Sequence, residues 1–201
     1  MEAPFDLAKT RKSLATLKEE QRRAIGCMVC ERLVPNYSRF EEVTGLSGFD
    51  ALRQALDFAW EHIAGDQIDE AYLANLIVTC EMLIPDSNDF ATHTVSMAID
   101  AINATCLLLE SFDGRSSEIV ADICAVAVDS VDMFIQRTEL NSSAQVGIRE
   151  EQVILEHPLM QRELEQQRED FVDIATTTID RAFVNHAKAM CAERGGNIVV
   201  L

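Results

Sequence analysis

Apolar residues recur at helical spacing along nearly the whole chain, and few runs alternate as strands do. A first helix fits residues 5–17. A second runs from Glu19 to Leu33, with Glu19 and Glu20 at its positive end. Pro35 is expected to end it, because proline pushes Val34 out of helical geometry. Asn36 then caps a short helix carrying Tyr37 and Phe40, closed by Gly45. Phe49, Leu52, Leu56, Trp60 and Ile63 make the next stripe, ended by Gly65. Tyr72, Leu73, Leu76, Cys80 and Leu83 make another, ended by Pro85, after which Asp86 caps a turn.

From Val95 to Leu109 the chain is apolar almost all round, which predicts a central, buried helix stopped by Gly114. A long helix follows from Ser116 or Ser117 to Arg137, with Glu118, Asp122, Asp129 and Asp132 on its wet side. Residues 141–147 are the clearest loop. A short helix over 148–156 precedes Pro158, and one long helix is expected from there to Glu193, stopped by Gly195-Gly196. The tail 195–201 ends in a strand-like NIVVL that docks or frays. The fold class is therefore all-α: one domain over 1–201, a bundle of about seven to nine helices.

One phrase occurs twice. Residues 30–40 read CERLVPNYSRF and residues 80–90 read CEMLIPDSNDF. The two agree in register at Cys, Glu, Leu, Pro and Phe, which makes a helix, proline corner and helix unit a candidate internal repeat. The grammar alone explains most of it: proline stops a helix, Asn or Asp caps the next, and Phe packs back across the corner. Duplication and shared corner grammar both remain open.

The phrase leaves Glu31 and Glu81 in the last turn of their expected helices, where the dipole disfavours a carboxylate by about 0.3–1 kcal/mol. A corner ion pair resolves this, and so does a ligand shared by the two. Asp100, with Asn103 one turn on, stands in an otherwise apolar helix. A buried carboxylate there needs a partner or a proton, and serves either as a structural link or as a ligand group. Glu31, Asn36, Tyr37, Glu81, Asp100 and Asn103 are the candidate binding or structural-polar residues.

Composition narrows the function classes. The formal net charge is −17, and residues 1–40 run against it with eight basic groups to five acidic ones, so the remainder carries −20. Such a balance opposes phosphate backbones and anionic lipid over roughly 8 Å at physiological salt. No nucleic acid or membrane partner is expected, and an acidic face suits a basic protein. The N-terminal segment has no apolar core of a signal peptide, and acids break the best apolar run, Ile119 to Ile135. Six cysteines then read as reduced thiols in a cytoplasmic protein.

Cys27-Met28-Val29-Cys30 has redox spacing but lies deep in a helix with no strand before it, so it reads as core. None of the four histidines has a glutamate three residues before it, as a di-iron bundle requires. There is no phosphate-cradling glycine loop and no nucleophile elbow. No catalytic set, no metal site and no cofactor are expected.

The run CERLVPNYSRFEEVTG, the helix ending FAWE at Phe58 to Glu61, IPDSNDF at 84–90, AIDA at 98–101 and the terminal GGNIVV resemble the YjaG-like family of bacterial proteins of unknown function. The resemblance covers nearly the whole chain and is weakest over 138–165. It implies an all-helical cytoplasmic domain and brings no activity, catalytic residue or cofactor. The reading that follows is a non-enzymatic interaction or regulatory protein, self-associating through a long helix such as 159–193. The alternative is a small-molecule or metal-binding bundle, an enzyme among its forms, built on Asp100 with Glu31 or Glu81.

Overall fold

The computed structural model describes residues 5–63, 67–90, 92, 94–113, 116–140 and 148–198. The expected loop at 141–147, the stops at Gly65 and Gly114, and His93 lie outside them. Nine α-helices are described: α1 (Leu7–Ala15), α2 (Glu19–Thr44), α3 (Phe49–His62), α4 (Glu70–Glu81), α5 (Thr94–Glu110), α6 (Ser116–Ile135), α7 (Ile148–Glu156), α8 (Pro158–Ala175) and α9 (Arg181–Arg194). A π-helical turn, Gln136–Leu140, extends α6, and a 3₁₀ turn spans Ser87–Asp89. The all-α bundle expected from the spacing is the fold.

Helices α2 and α5 are its axis. Every residue from Ala24 to Cys30 in α2 is buried, as are eleven of the seventeen residues of α5. Helix α2 packs on α3, α5, α6, α8 and α9, and α5 also holds α3, α4 and α6. The main core draws side chains from α1 to α6, α8 and α9. A second cluster joins Met97, Val131, Ile135, Ile154, Met160 and Ile198.

The corner expected at Pro35 does not form. Helix α2 runs through it to Gly45, whose left-handed φ of 75° and N–H to Glu41 O close the helix. An interior proline costs about 3 kcal/mol. Burying Tyr37 and Phe40 beyond it is worth about 1.5–3 kcal/mol each, which outweighs the cost. Asn36 is consequently no cap but a buried mid-helix residue.

The second phrase does break its helix. Helix α4 stops at Glu81, and Asp86 Oδ1 accepts from Asn88 N at 2.9 Å. The candidate repeat therefore has two different structures. Its two phenylalanines meet instead: the Phe40 and Phe90 rings pack edge to face at 5.1 Å.

The long helix expected over 159–193 is also divided. Helix α8 ends at Ala175, and Asp180 caps α9 by accepting from Phe183 N at 2.8 Å. Gln21 of α2 fixes the break, its Nε2 donating to the carbonyls of Ile174 at 2.9 Å and Thr177 at 3.1 Å. The first is in the last turn of α8, where carbonyls lack intrahelical donors, and the second is just beyond it.

Candidate functional site

Continuing α2 through Pro35 moves Glu31 from a helix end to mid-helix, which removes its conflict with the dipole. Its carboxylate is held by Arg53 of α3 through two bonds, 2.7 and 2.9 Å, and by Trp60 Nε1 at 2.8 Å. Arg53 reaches on to Asp57, and Asp57 to Lys188 of α9 at 2.5 Å. Glu31 is thus the inner end of a polar chain that ties α2, α3 and α9.

Asp100 lies elsewhere, half-buried against α6. Burial pushes its carboxyl up to about 6; the Ser130 hydroxyl opposes this, Asp129 adds to it and Arg137 subtracts. Asn103 is exposed, and Glu81 is exposed at the last position of α4. Glu31 is held by Arg53 and Trp60 of α3 while Asp100 stands against α6, so the structure brings these candidates into no common site. Among the described residues, no group of three or more His, Cys, Asp and Glu is gathered to hold a metal.

Tyr37 is buried beside Phe40, and burial, then Glu41, push its phenol up. Asn36 Nδ2 donates to Asn197 Oδ1 at 3.0 Å. The Cys27 and Cys30 thiols are fully enclosed, and burial raises both well above the ordinary thiol range, so they stay protonated as core.

The spacing argument missed the most charged part of the interior. Arg32, 1% exposed, meets Glu163 at 3.1 and 3.2 Å and Asp170 at 2.6 Å, both of α8 and both 0% exposed. Arg194 of α9 takes the other Asp170 oxygen at 2.7 Å. Gln167 donates to Glu163 at 2.8 Å and to Cys124 O at 3.1 Å. Burial opposes the Arg32 charge, but Glu163 and Asp170 together outweigh it and hold the guanidinium more firmly charged than an ordinary arginine. The sequence held one signal: Glu163 and Asp170 share a register with the buried Met160 and Ile174. The surrounding charges of QRELEQQRED mask it.

The outer surface has one conspicuous face. Helix α4 has no charged residue between Ala71 and Cys80, and only Leu76 and Cys80 of its twelve residues are buried. Tyr72, Val78, Met82 and Ile84 stay exposed, Met82 at 81%. The exposed Asn75 and Thr79 separate Tyr72 from Val78 and Met82, and the exposed carboxylates of Asp69, Glu70, Glu81 and Asp86 stand at the two ends of the helix. From residue 54 to residue 136 the chain carries fifteen acids and a single base, Arg115. The acidity seen in the composition is therefore concentrated on the segment that includes α4.

A family model for a protein of unknown function, DUF416, matches residues 9–198. The chain belongs to the DUF416 family. The uncharacterized protein YjaG of Escherichia coli, strain K12, is 28% identical over 159 residues, 79% of this chain and 78% of its own length. An uncharacterized protein of Haemophilus influenzae is 25% identical over 127 residues, 62% of this chain and 64% of its own. The crystal structure of a DUF416 family protein from Shewanella baltica shares the fold, with a TM-score of 0.84 over 94% of this chain and 97% of that one, at 23% identity. Family membership accords with the resemblance carried by CERLVPNYSRFEEVTG. No helix among the described residues is long and apolar enough to cross a membrane.

Proposed function

We propose that this DUF416 protein is a non-enzymatic interaction protein of the cytoplasm, and that its α4 face docks a basic amphipathic helix of another protein. The exposed apolar side chains at the C-terminal end of α4, Val78, Met82 and Ile84, set in a segment almost without bases, carry this reading. Val78 and Met82 stand one turn apart on the open side of α4, and large apolar side chains exposed together mark contact sites. A partner with apolar anchors at helical spacing and Lys or Arg beside them fits both these side chains and the carboxylates at the helix ends.

The test is fluorescence anisotropy with a labelled amphipathic helical peptide carrying lysine flanks, beside one carrying glutamate flanks. The lysine peptide is expected to bind, with affinity falling as salt rises. The charge-neutral pair Val78→Ser and Met82→Ser is expected to weaken it about 10-fold, the loss of about 1.4 kcal/mol of apolar contact. Equal binding to the serine variant would move the contact off α4 and sink the proposal.

Self-association through the same face is the second reading. The lack of charge from Ala71 to Cys80 favours it, since two acidic copies meet there without like charges at the centre. Sedimentation of the same variant separates the two, because a dimer lost on serine substitution assigns α4 to a second copy. A ligand site built jointly from Asp100, Glu31 and Glu81 has no support in the geometry.

A further inference from the structure

Helix α3 and the N-terminal end of α4 leave between them an open cleft of about 490 Å³. Clefts of about 300–1,000 Å³ are the size that holds small organic ligands. Its aromatic part is fixed. The Tyr72 and His62 rings both pack on Phe58, at 5.5 and 4.2 Å, and Gln54 donates to the Tyr72 hydroxyl at 3.0 Å. Its acidic part is a row. Asp50, Asp57 and Glu61 of α3 recur at helical spacing along one side of the helix, over a length of about 16 Å. Asp69, the α4 cap, adds a fourth carboxylate.

The partners of these groups leave the cleft acidic. Arg53 is the one lysine or arginine lining it among the described residues, and Glu31 already holds it. Asp57 meets Arg53 and Lys188. With Glu31 and Lys188 counted, the cleft keeps three negative charges in excess among the described residues. Arg181, in the neighbouring cleft that Glu61 also lines, is offset by Asp180 there. Asp50 and Glu61 are exposed, and no cation among the described residues pairs with either. Glu61 stands in the last turn of α3, where the helix dipole disfavours a carboxylate. Asp69 spends Oδ1 on the amides of Ala71 and Tyr72, at 3.0 and 3.2 Å, which leaves Oδ2.

From this arrangement we infer that the α3–α4 cleft binds a linear aliphatic polyamine, its ammonium groups on Asp50, Glu61 and Asp69 and its methylene runs on Tyr72 and Phe58. Spaced charges on a flexible chain fit a row of carboxylates beside rings, and an ammonium over Tyr72 gains from the ring face as well. A compact cation reaches only one end of the row. The cleft is at the N-terminal end of α4, away from Val78, Met82 and Ile84, so either proposal stands if the other fails.

Spermidine is the probe, titrated into the full chain at about 0.15 M salt, where attraction beyond about 8 Å is screened. Calorimetry and amide chemical shifts follow it. Hexaamminecobalt(III) carries the same charge without a chain. Spermidine is expected to bind one to one and to move amides of α3 and of the first turns of α4. The cobalt complex is expected to bind about 10-fold more weakly. Asp50→Asn with Glu61→Gln should lower spermidine affinity about 10-fold, and Tyr72→Leu about 3-fold. Glu118→Gln with Glu151→Gln removes the same charge from α6 and α7 and should leave affinity within about 2-fold. Circular dichroism verifies that these surface variants fold. Absence of spermidine binding, an equal loss in the α6 and α7 pair, or shifts confined to another region would each overturn the assignment. The cobalt complex binding as tightly as spermidine would reduce it to diffuse charge attraction and overturn it too.

Discussion

Arg32, Glu163 and Asp170 place one positive and two negative groups in an interior where each is at most 1% exposed. Arg194, reaching Asp170 from the edge of the interior, brings the second positive charge. Such a set is no strong source of stability as a whole, since desolvation takes back much of the attraction. Removing one member is different, because its partners are left charged and buried. Arg32→Ala is therefore expected to cost about 3–5 kcal/mol in urea unfolding. Adding Glu163→Gln and Asp170→Asn to that variant should recover part of the loss. A cost under about 1 kcal/mol would mean that water reaches these carboxylates.

Asp100 gives the opposite sign. Its carboxyl lies at about 6 in the fold, against roughly 3.9 in an unfolded chain. The folded state thus holds the proton more tightly. The stability this provides is fully present below about pH 4 and is lost as pH rises through 6. Asp100→Asn, uncharged at all pH values, should raise stability over the parent at pH 7.5, with the advantage shrinking toward pH 4.5. Asp129, Asp132 and Arg137 are common to both proteins, so the difference between them isolates position 100. A difference independent of pH would refute the assignment.

At the scale of elements, the informative unit is α2 with the C-terminal tail. Pro35 has no N–H to give and opens the ladder one turn before it. Asn197 N donates into that turn, to Arg32 O at 2.9 Å. Gly196 lies so close that a Cβ there would stand 3.2 Å from Pro35 Cβ. Asn197 then receives Asn36 Nδ2 and sends its own Nδ2 to Ala127 O at 3.4 Å, so one side chain clasps α2 to α6. Asn197→Ala leaves the Asn36 amide buried without its partner and should cost about 1–3 kcal/mol. Amide exchange is expected to quicken around residues 32–36 in that variant. Unchanged exchange and stability would show that the tail contributes no more than a loose end.

For the whole molecule, the legible part was whatever rests on local periodicity. The presence of α4, the bounds of α5 and α7 to within a residue and the Asp86 turn follow from apolar spacing, from caps and from Pro158. So does the buried character of α5, which is apolar on every side. The misread positions are those where a local rule met a tertiary contact. Pro35 reads as a stop, yet the core around Tyr37 and Phe40 keeps the helix going. The segment 159–193 reads as continuous, yet Gln21, more than 150 residues away in sequence, secures a break at 176–180. Of the candidate residues, Glu31 is held by Arg53 and Trp60, and Asp100 stands half-buried against α6. Those surroundings depend on how α2 meets α3 and how α5 meets α6. The buried charge network was hidden because its members lie 131 and 138 residues apart. By itself the sequence determined the helical class, the acidity and the family signature, since each is written in spacing, composition or contiguous residues. Only the tertiary structure decided which helix stays uncovered and which charges meet in the core. Those are contacts between distant segments, and no local pattern encodes them.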